Sequence, residues 1–157
     1  MTNNNMQEIY FDTIIPDIKV SNEKQVFNKI TNHVSNIIGT SEKMLMQTLM
    51  ENDENKNAGI GNGVAIAHAR LPRLTRPILV YATLNNAVEF NAVDDQPVDL
   101  VAVVLSPDFE GPKHLQRLSN VTRFFRNNET CNALRDADGY DGIRNAVKHI
   151  NEIKKAA

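Results

Sequence analysis

The chain has 157 residues, of which 41% are hydrophobic and 23% are charged. This length suits one domain with a proper core, because a chain of this size buries roughly 70% of its unfolded surface. The formal charge of −2 shows no electrostatic footprint for nucleic acid, so no nucleic-acid partner is predicted. No apolar run is long enough to cross a membrane, which argues against membrane insertion.

Cysteine usage and the first residues give two further expectations. Cys131 is the single cysteine, so the chain cannot form an internal disulfide, and no signal peptide is visible. Both observations favour a cytoplasmic location. Residues 1–8 include three consecutive asparagines and are predicted to be a disordered start, which leaves residues 9–157 as the domain.

The first third of the chain predicts one extended segment and two helices. Residues 9–20 are extended in character. The first helix is capped by Ser21 and ended by Gly39, and the second is capped by Ser41. The polar residues 51–57 are predicted to form a loop.

Strands dominate the middle of the chain and helices its end. Alternating or continuous apolar residues predict strands at 64–68, 78–84, 88–90 and 98–105, and residues 70–77 are predicted to be a connection. Residues 98–105 are nearly all apolar, which is typical of a strand buried on both faces. Apolar residues at helical spacing predict three helices, at 113–126, 129–135 and 140–153. Since helices precede and follow the strands, we predict a single α/β domain whose sheet is covered on both faces.

The segment 58–70 carries the strongest candidate for a functional site. Three glycines at alternate positions, including Gly61 and Gly63, come before a short alternating run that ends at His68. Glycine allows tight turns and close approaches, and the alternation predicts a strand. The sequence therefore predicts an imidazole at the end of a strand, beside a glycine-rich loop.

Several kinds of chemistry can be excluded at this segment. The four histidines lack the spacing of zinc ligands, so no metal site is predicted. The glycines fit neither a dinucleotide fingerprint nor a phosphate-binding P-loop, and no nucleophile elbow is present. An imidazole nucleophile remains, with loop amides and the nearby arginines Arg70, Arg73 and Arg76 as donors to a phosphoryl group. His114 lies at a predicted helix start, where the helix dipole favours a neutral ring. The alternative is that His68 is structural, that His114 lies on the surface and that Arg70 points to solvent.

Several stretches of the sequence resemble motifs of one protein family, in the same order along the chain. They are residues 59–68, 90–100 and 114–119, together with the Ile-Ile-Pro near the start. They are similar to motifs of the enzyme IIA domains of the bacterial phosphotransferase system, fructose/mannitol/nitrogen type. The resemblance implies a mixed, mainly parallel sheet between helices. It also implies that His68 accepts a phosphoryl group and that His114 is the second active-site histidine. No metal or organic cofactor is implied.

The resemblance further implies partners. The phosphoryl donor would be a phosphorylated histidine-containing phosphocarrier protein, with Arg70, Gly61 and Gly63 predicted to bind the phosphate. A stand-alone domain looks most like the nitrogen-regulatory branch, in which the phosphorylation state regulates downstream proteins. In the sugar-transport branch the phosphoryl group passes on to a IIB domain, and this alternative stays open.

Two residues depart from the family's pattern. The chain has Asn52 where the family usually has an arginine, and Ala67 where it usually has a proline. A proline would fix the backbone before His68, so alanine leaves that approach less constrained. A degenerate regulator that binds partners with His68 unphosphorylated is therefore the second hypothesis.

Overall fold

A five-stranded mixed sheet forms the centre of the structure, a computed structural model that describes residues 8–156 apart from the side chains of Asp53 and Ala156. In chain order the strands are β1 (Thr13–Ile18), β2 (Gly59–Gly61), β3 (Val64–Leu71), β4 (Ile78–Val88) and β5 (Val98–Pro107). They lie in the order β1-β4-β5-β3-β2. The β1–β4 and β3–β5 pairs are parallel, whereas the β4–β5 and β2–β3 pairs are antiparallel. The disordered start predicted for residues 1–8 lies, except for Glu8, outside the described residues.

Helices cover both faces of this sheet. Within residues 8–156 the α-helices are α1 (Glu23–Ile38), α2 (Glu42–Glu51), α3 (Pro112–Phe125), α4 (Asn128–Asp136) and α5 (Gly139–Ala156). Helices α1 and α2 pack on one face, and α3, α4 and α5 pack on the other. The predicted α/β domain, with a mixed sheet between two layers of helices, is therefore confirmed.

Strand β3 is longer than the sequence predicts. Its parallel ladder with β5 pairs His68 with Val104 and continues as far as Leu71. His68 therefore lies inside the strand and not at its end, and Arg70 belongs to the strand and not to a connection. Tertiary pairing explains the difference, because the buried strand β5 offers backbone partners beyond the point where the apolar alternation of β3 stops.

Helix ends follow local side-chain chemistry, with one shift. Gly39 ends α1 with φ 71°, as predicted, and the Ser41 side chain accepts a hydrogen bond from the backbone of α2. The cap of α1 is Asn22 and not Ser21. The loop predicted at residues 51–57 contains the 3-10 helix Asp53–Asn57, which lies against β3.

A glycine hairpin sets the start of β3. Gly63 has φ 77°, a conformation that favours glycine. A Cβ atom on Gly59 would lie 2.7 Å from the Cβ of Ala92, so β2 can take its place only because that side chain is missing. These glycines therefore determine where β3 begins, and with it the place of His68 in the interior.

Candidate functional site

Two buried histidines meet between β3 and α3. The Nδ1 atom of His68 lies 2.9 Å from the Nε2 atom of His114. His68 is 7% exposed and His114 is 1% exposed, so the structure contradicts the alternative that His114 is a surface residue. His114 stands in the first turn of α3, which begins at Pro112, a residue well suited to that position. The fold thus brings together two side chains that are 46 positions apart.

A second set of side chains continues from the far side of the His114 ring. The Nδ1 atom of His114 lies 2.7 Å from the hydroxyl oxygen of Ser106, a fully buried residue near the end of β5. Arg117 stands almost one turn after His114 and donates from Nη1 to the same oxygen at 2.6 Å. The Nη1 atom of Arg117 also forms an ion pair with Glu110 at 2.8 Å.

The outer nitrogen of His68 faces a carboxylate. Its Nε2 atom lies 3.2 Å from Oε1 of Glu54, on the 3-10 helix Asp53–Asn57. The Glu54 side chain is 70% exposed. Since Nδ1 of His68 is taken by His114, Nε2 is the ring nitrogen that lies toward an exposed, movable side chain.

Asn55 holds the backbone of His68 at the edge of β3. Its Oδ1 atom accepts from the His68 N–H at 2.9 Å, and its Nδ2 atom donates to the His68 carbonyl at 2.9 Å. The side-chain amide therefore does what the peptide group of a neighbouring strand would do. Asn52 donates to the same carbonyl at 3.0 Å. The constraint that was expected to be missing at Ala67 is thus supplied by the two asparagine side chains.

Burial lowers the pKa of both imidazoles below the ordinary value of 6.5. For His68 desolvation is the largest cause of the lower pKa; the Glu54 carboxylate opposes it and Arg70 adds to it. For His114 desolvation, followed by the charges of His68, Arg70 and Arg117, lowers the pKa to about 4. Both rings are therefore neutral near pH 7, and a neutral imidazole keeps a lone pair with which it can act as a nucleophile.

The other predicted phosphate ligands lie in two places. Arg70 is exposed on β3, two residues after His68, and its charge acts on both imidazoles. Gly61 and Gly63 lie in the hairpin before β3, and the five positions from Gly63 to His68 span about 16 Å of strand. Each glycine also has an aspartate carboxylate among its nearest side-chain atoms. The structure brings Arg70 close to the histidine pair but not the two glycines, whose phosphate-binding role stays a prediction.

Four residues of the site carried no clear signal in the sequence. Arg117 follows His114 by three positions, so the two share a helix face once α3 is recognised. Ser106 follows the apolar run of β5 and looks like the start of a loop. Glu54 and Asn55 belong to a polar segment with no periodicity. Their roles depend on β3 lying beside that segment.

The part of the chain that the structure describes holds neither a metal-binding cluster nor a membrane-spanning helix. Within residues 8–156 no group of three or more histidine, cysteine, aspartate or glutamate side chains could hold a metal ion. No α-helix in that range is both long enough and apolar enough to cross a membrane.

The fold and the site define a class of protein: a mixed α/β domain with a neutral histidine pair at the edge of its sheet. A family profile described as "Phosphoenolpyruvate-dependent sugar phosphotransferase system, EIIA 2" matches residues 10–150. The chain belongs to this enzyme IIA family, and the resemblance seen in the sequence motifs is confirmed.

Individual relatives agree with this assignment. The chain is 31% identical over 124 residues to a nitrogen regulatory protein of Bradyrhizobium diazoefficiens, across 79% of this chain and 81% of that protein. It is 26% identical over 107 residues to a PTS system fructose-specific EIIA component of Haloferax volcanii, across 68% and 70% of the two chains. The crystal structure of the nitrogen regulatory protein IIA-Ntr from Neisseria meningitidis shares the fold, with a TM-score of 0.78 and 21% identity over 86% of this chain and 92% of that chain.

The contacts of Asn55 generate a stability prediction. We expect Asn55→Ala to lower the free energy of unfolding by about 2–4 kcal/mol, because it leaves buried backbone groups of His68 and Leu49 with fewer partners. Urea unfolding would measure the change. Asn132→Ala is the matched control, since Asn132 is exposed on α4, and it should change stability by less than about 0.5 kcal/mol. Equal effects of the two substitutions would contradict the role given to Asn55.

The lowered pKa of His114 generates a pH prediction. The unfolded ring takes up a proton near pH 6.5 and the folded ring only at about pH 4, so the unfolded state binds more protons between these values. The stabilisation is complete above pH 6.5 and is lost as the pH falls toward 4, by up to about 3 kcal/mol. Urea unfolding of the wild type and His114→Gln from pH 7 to 4 would isolate this contribution, with the exposed His149→Gln as control. A constant difference between wild type and His114→Gln over this range would contradict the prediction.

Proposed function

We propose that the protein accepts a phosphoryl group on His68 from a phosphorylated histidine-containing phosphocarrier protein, and that its phosphorylation state regulates downstream proteins. The observation that carries the proposal is the contact between Nδ1 of His68 and Nε2 of His114 at 2.9 Å. This contact occupies one nitrogen of His68 and leaves Nε2, on the outer side, as the acceptor atom. A neutral, desolvated imidazole held rigidly by its backbone is well suited to nucleophilic attack on phosphorus.

The surroundings of His68 support this chemistry. His114 can hold the ring of His68 in one orientation while the phosphoryl group is transferred. Phosphoryl transfer depends mainly on positioning and on neutralising charge. The Arg70 guanidinium on the same strand is the nearest cation in sequence, and it supplies the charge that the family's arginine would have given at Asn52. No metal or organic cofactor is needed for such a transfer.

The relatives guide the choice of branch. The similar protein of Bradyrhizobium diazoefficiens is named a nitrogen regulatory protein, which favours regulation of partner proteins in the cytoplasm over sugar transport. The similar protein of Haloferax volcanii is named a fructose-specific component, so transfer to a IIB domain is the alternative. These two functions differ in the next acceptor and not in the chemistry at His68.

Two observations favour a second candidate function. The Glu54 carboxylate lies 3.2 Å from Nε2 of His68, where it would repel an incoming phosphoryl group. Asn52 also lacks the positive charge of the family's arginine. A regulator that binds partners without being phosphorylated fits these two features, and phosphorylation by the carrier protein separates the two candidates.

The acceptor role of His68 is tested by substitution. His68→Gln should abolish labelling by the phosphorylated phosphocarrier, because an amide side chain cannot form the phosphoramidate bond. Glutamine is preferable to alanine because His68 is buried and a smaller side chain would leave a cavity. Intact-mass spectrometry would detect the added phosphoryl group. His149→Gln should be labelled like the wild type, and full labelling of His68→Gln would place the acceptor elsewhere.

The role of Arg70 generates a kinetic prediction. Arg70→Ala should lower the rate of phosphorylation roughly tenfold or more, because a charge-assisted hydrogen bond to the phosphoryl oxygens is lost. Adding Asn52→Arg should restore part of that rate, since position 52 contacts the His68 carbonyl. Rapid-quench labelling would measure both rates. Arg73→Ala is the matched control because Arg73 is an exposed arginine on the connection after β3. If Arg70→Ala and Arg73→Ala behaved alike, Arg70 would have no specific role.

A further inference from the structure

Four side chains in a row, Arg117, Ser106, His114 and His68, form what we call the hydrogen-bond chain. We propose that Arg117 and Ser106 are positioning residues that fix the tautomer of His114 and, through it, the tautomer of His68. The consequence for reactivity rests on the proposed function, whereas the tautomers themselves do not.

The direction of the hydrogen-bond chain is set at Arg117. A guanidinium can only donate hydrogen bonds, so Oγ of Ser106 accepts from Nη1 of Arg117 at 2.6 Å. The hydroxyl has one proton of its own, and the only other polar partner of Oγ among the described residues is Nδ1 of His114, at 2.7 Å. Because Ser106 is fully buried, leaving this proton without an acceptor would be costly. The hydroxyl therefore donates to Nδ1 of His114.

The two imidazoles then follow in turn. A neutral imidazole whose Nδ1 accepts a hydrogen bond carries its proton on Nε2. His114 therefore donates from Nε2 to Nδ1 of His68 across 2.9 Å. By the same rule His68 carries its proton on Nε2. Arg117, which lies eleven positions after Ser106 in the sequence, thus determines which nitrogen of His68 bears the proton.

The outer end of the hydrogen-bond chain agrees with this direction. The Nε2 atom of His68 faces Oε1 of Glu54 at 3.2 Å, and an ionised carboxylate can only accept. A group that only donates thus stands at one end and a group that only accepts stands at the other. Reversing the chain would leave the hydroxyl proton of Ser106 without a partner and would turn the Nε2 lone pair of His68 toward a negative charge.

This polarity has a consequence for phosphoryl transfer. Nε2 of His68 has no free lone pair while it carries its proton, so the Glu54 carboxylate takes that proton as the bond from Nε2 to phosphorus forms, and then releases it to solvent. The phosphorus–nitrogen bond of the carrier's phosphohistidine breaks at the same time, and its electron pair returns to the carrier's imidazole, which takes up one proton. One proton and one phosphoryl group therefore change places between the two histidines. His114 donates to Nδ1 of His68 before and after transfer, so the hydrogen-bond chain need not rearrange.

Nitrogen-15 NMR of the protein with labelled histidines tests the proposal directly, because chemical shifts and long-range couplings distinguish the two tautomers. The wild type should show the proton on Nε2 of both His114 and His68. Arg117→Met removes the fixed donor, and the Nδ1-protonated fraction of His114 should rise roughly threefold to tenfold. Arg117→Lys keeps a group that only donates and should restore the wild-type spectrum. Arg123→Met, an exposed arginine on the same helix, is the matched control.

The outcomes separate this proposal from the proposed function. A proton on Nδ1 of His114 in the wild type would overturn the proposal without any variant, even if Arg117→Met failed to fold. Wild-type tautomers in a folded Arg117→Met would also overturn it. With the phosphorylated carrier, Arg117→Met should be labelled faster by a factor similar to the tautomer shift, because the reversed hydrogen-bond chain leaves Nε2 of His68 unprotonated, and Arg117→Lys should return to the wild-type rate. Predicted tautomers in a protein that no carrier phosphorylates would support the hydrogen-bond chain and reject the phosphoryl-acceptor function.

Discussion

The contact between the imidazoles of His68 and His114 is the constraint on which the site depends. At 2.9 Å between ring nitrogens, one ring must donate and the other must accept, so protonating both rings would break the hydrogen bond. Burial reinforces this requirement because a charged ring loses its hydration there. On one side of the pair Arg117 and Ser106 donate toward the imidazoles, and on the other side Glu54 accepts from them. All of these hydrogen bonds therefore run in the same direction.

The fold supports this contact by fixing two backbones independently. Strand β3 is held along one edge by β5. Along the other edge it is held first by β2 and then, at His68, by the 3-10 helix Asp53–Asn57, where the amide of Asn55 takes the place of a peptide group. Helix α3 packs on the opposite side of the histidine pair and carries His114 in its first turn. Neither histidine therefore depends on a long flexible loop for its position, which suits chemistry that relies on orientation.

The sequence predicts the fold better than the site. Periodicity identifies β5 and α3 almost to their ends, because each buries a face whose apolar pattern is regular. For β3 the periodicity predicts an end at His68, which is too early. A parallel ladder continues wherever the partner strand offers backbone groups, and the side chains of β3 do not determine where it ends. The family motifs identify both histidines. Ser106 and Glu54 could not be predicted, because their roles come from the meeting of the end of β5 with α3 and of a polar segment with β3.

The replacement at Asn52 changes how the site is held together. An arginine there would bring a positive charge to the phosphoryl group, whereas the Asn52 amide donates to the His68 carbonyl and its Oδ1 atom caps the segment that carries Glu54. Position 52 therefore supports the backbone. The positive charge lies instead on Arg70, whose place on β3 is fixed by the same ladder that fixes His68. In the proposed transfer, the largely exposed Glu54 side chain can turn away from the phosphoryl group at little packing cost after it has taken the Nε2 proton, which leaves Arg70 as the positive charge beside His68.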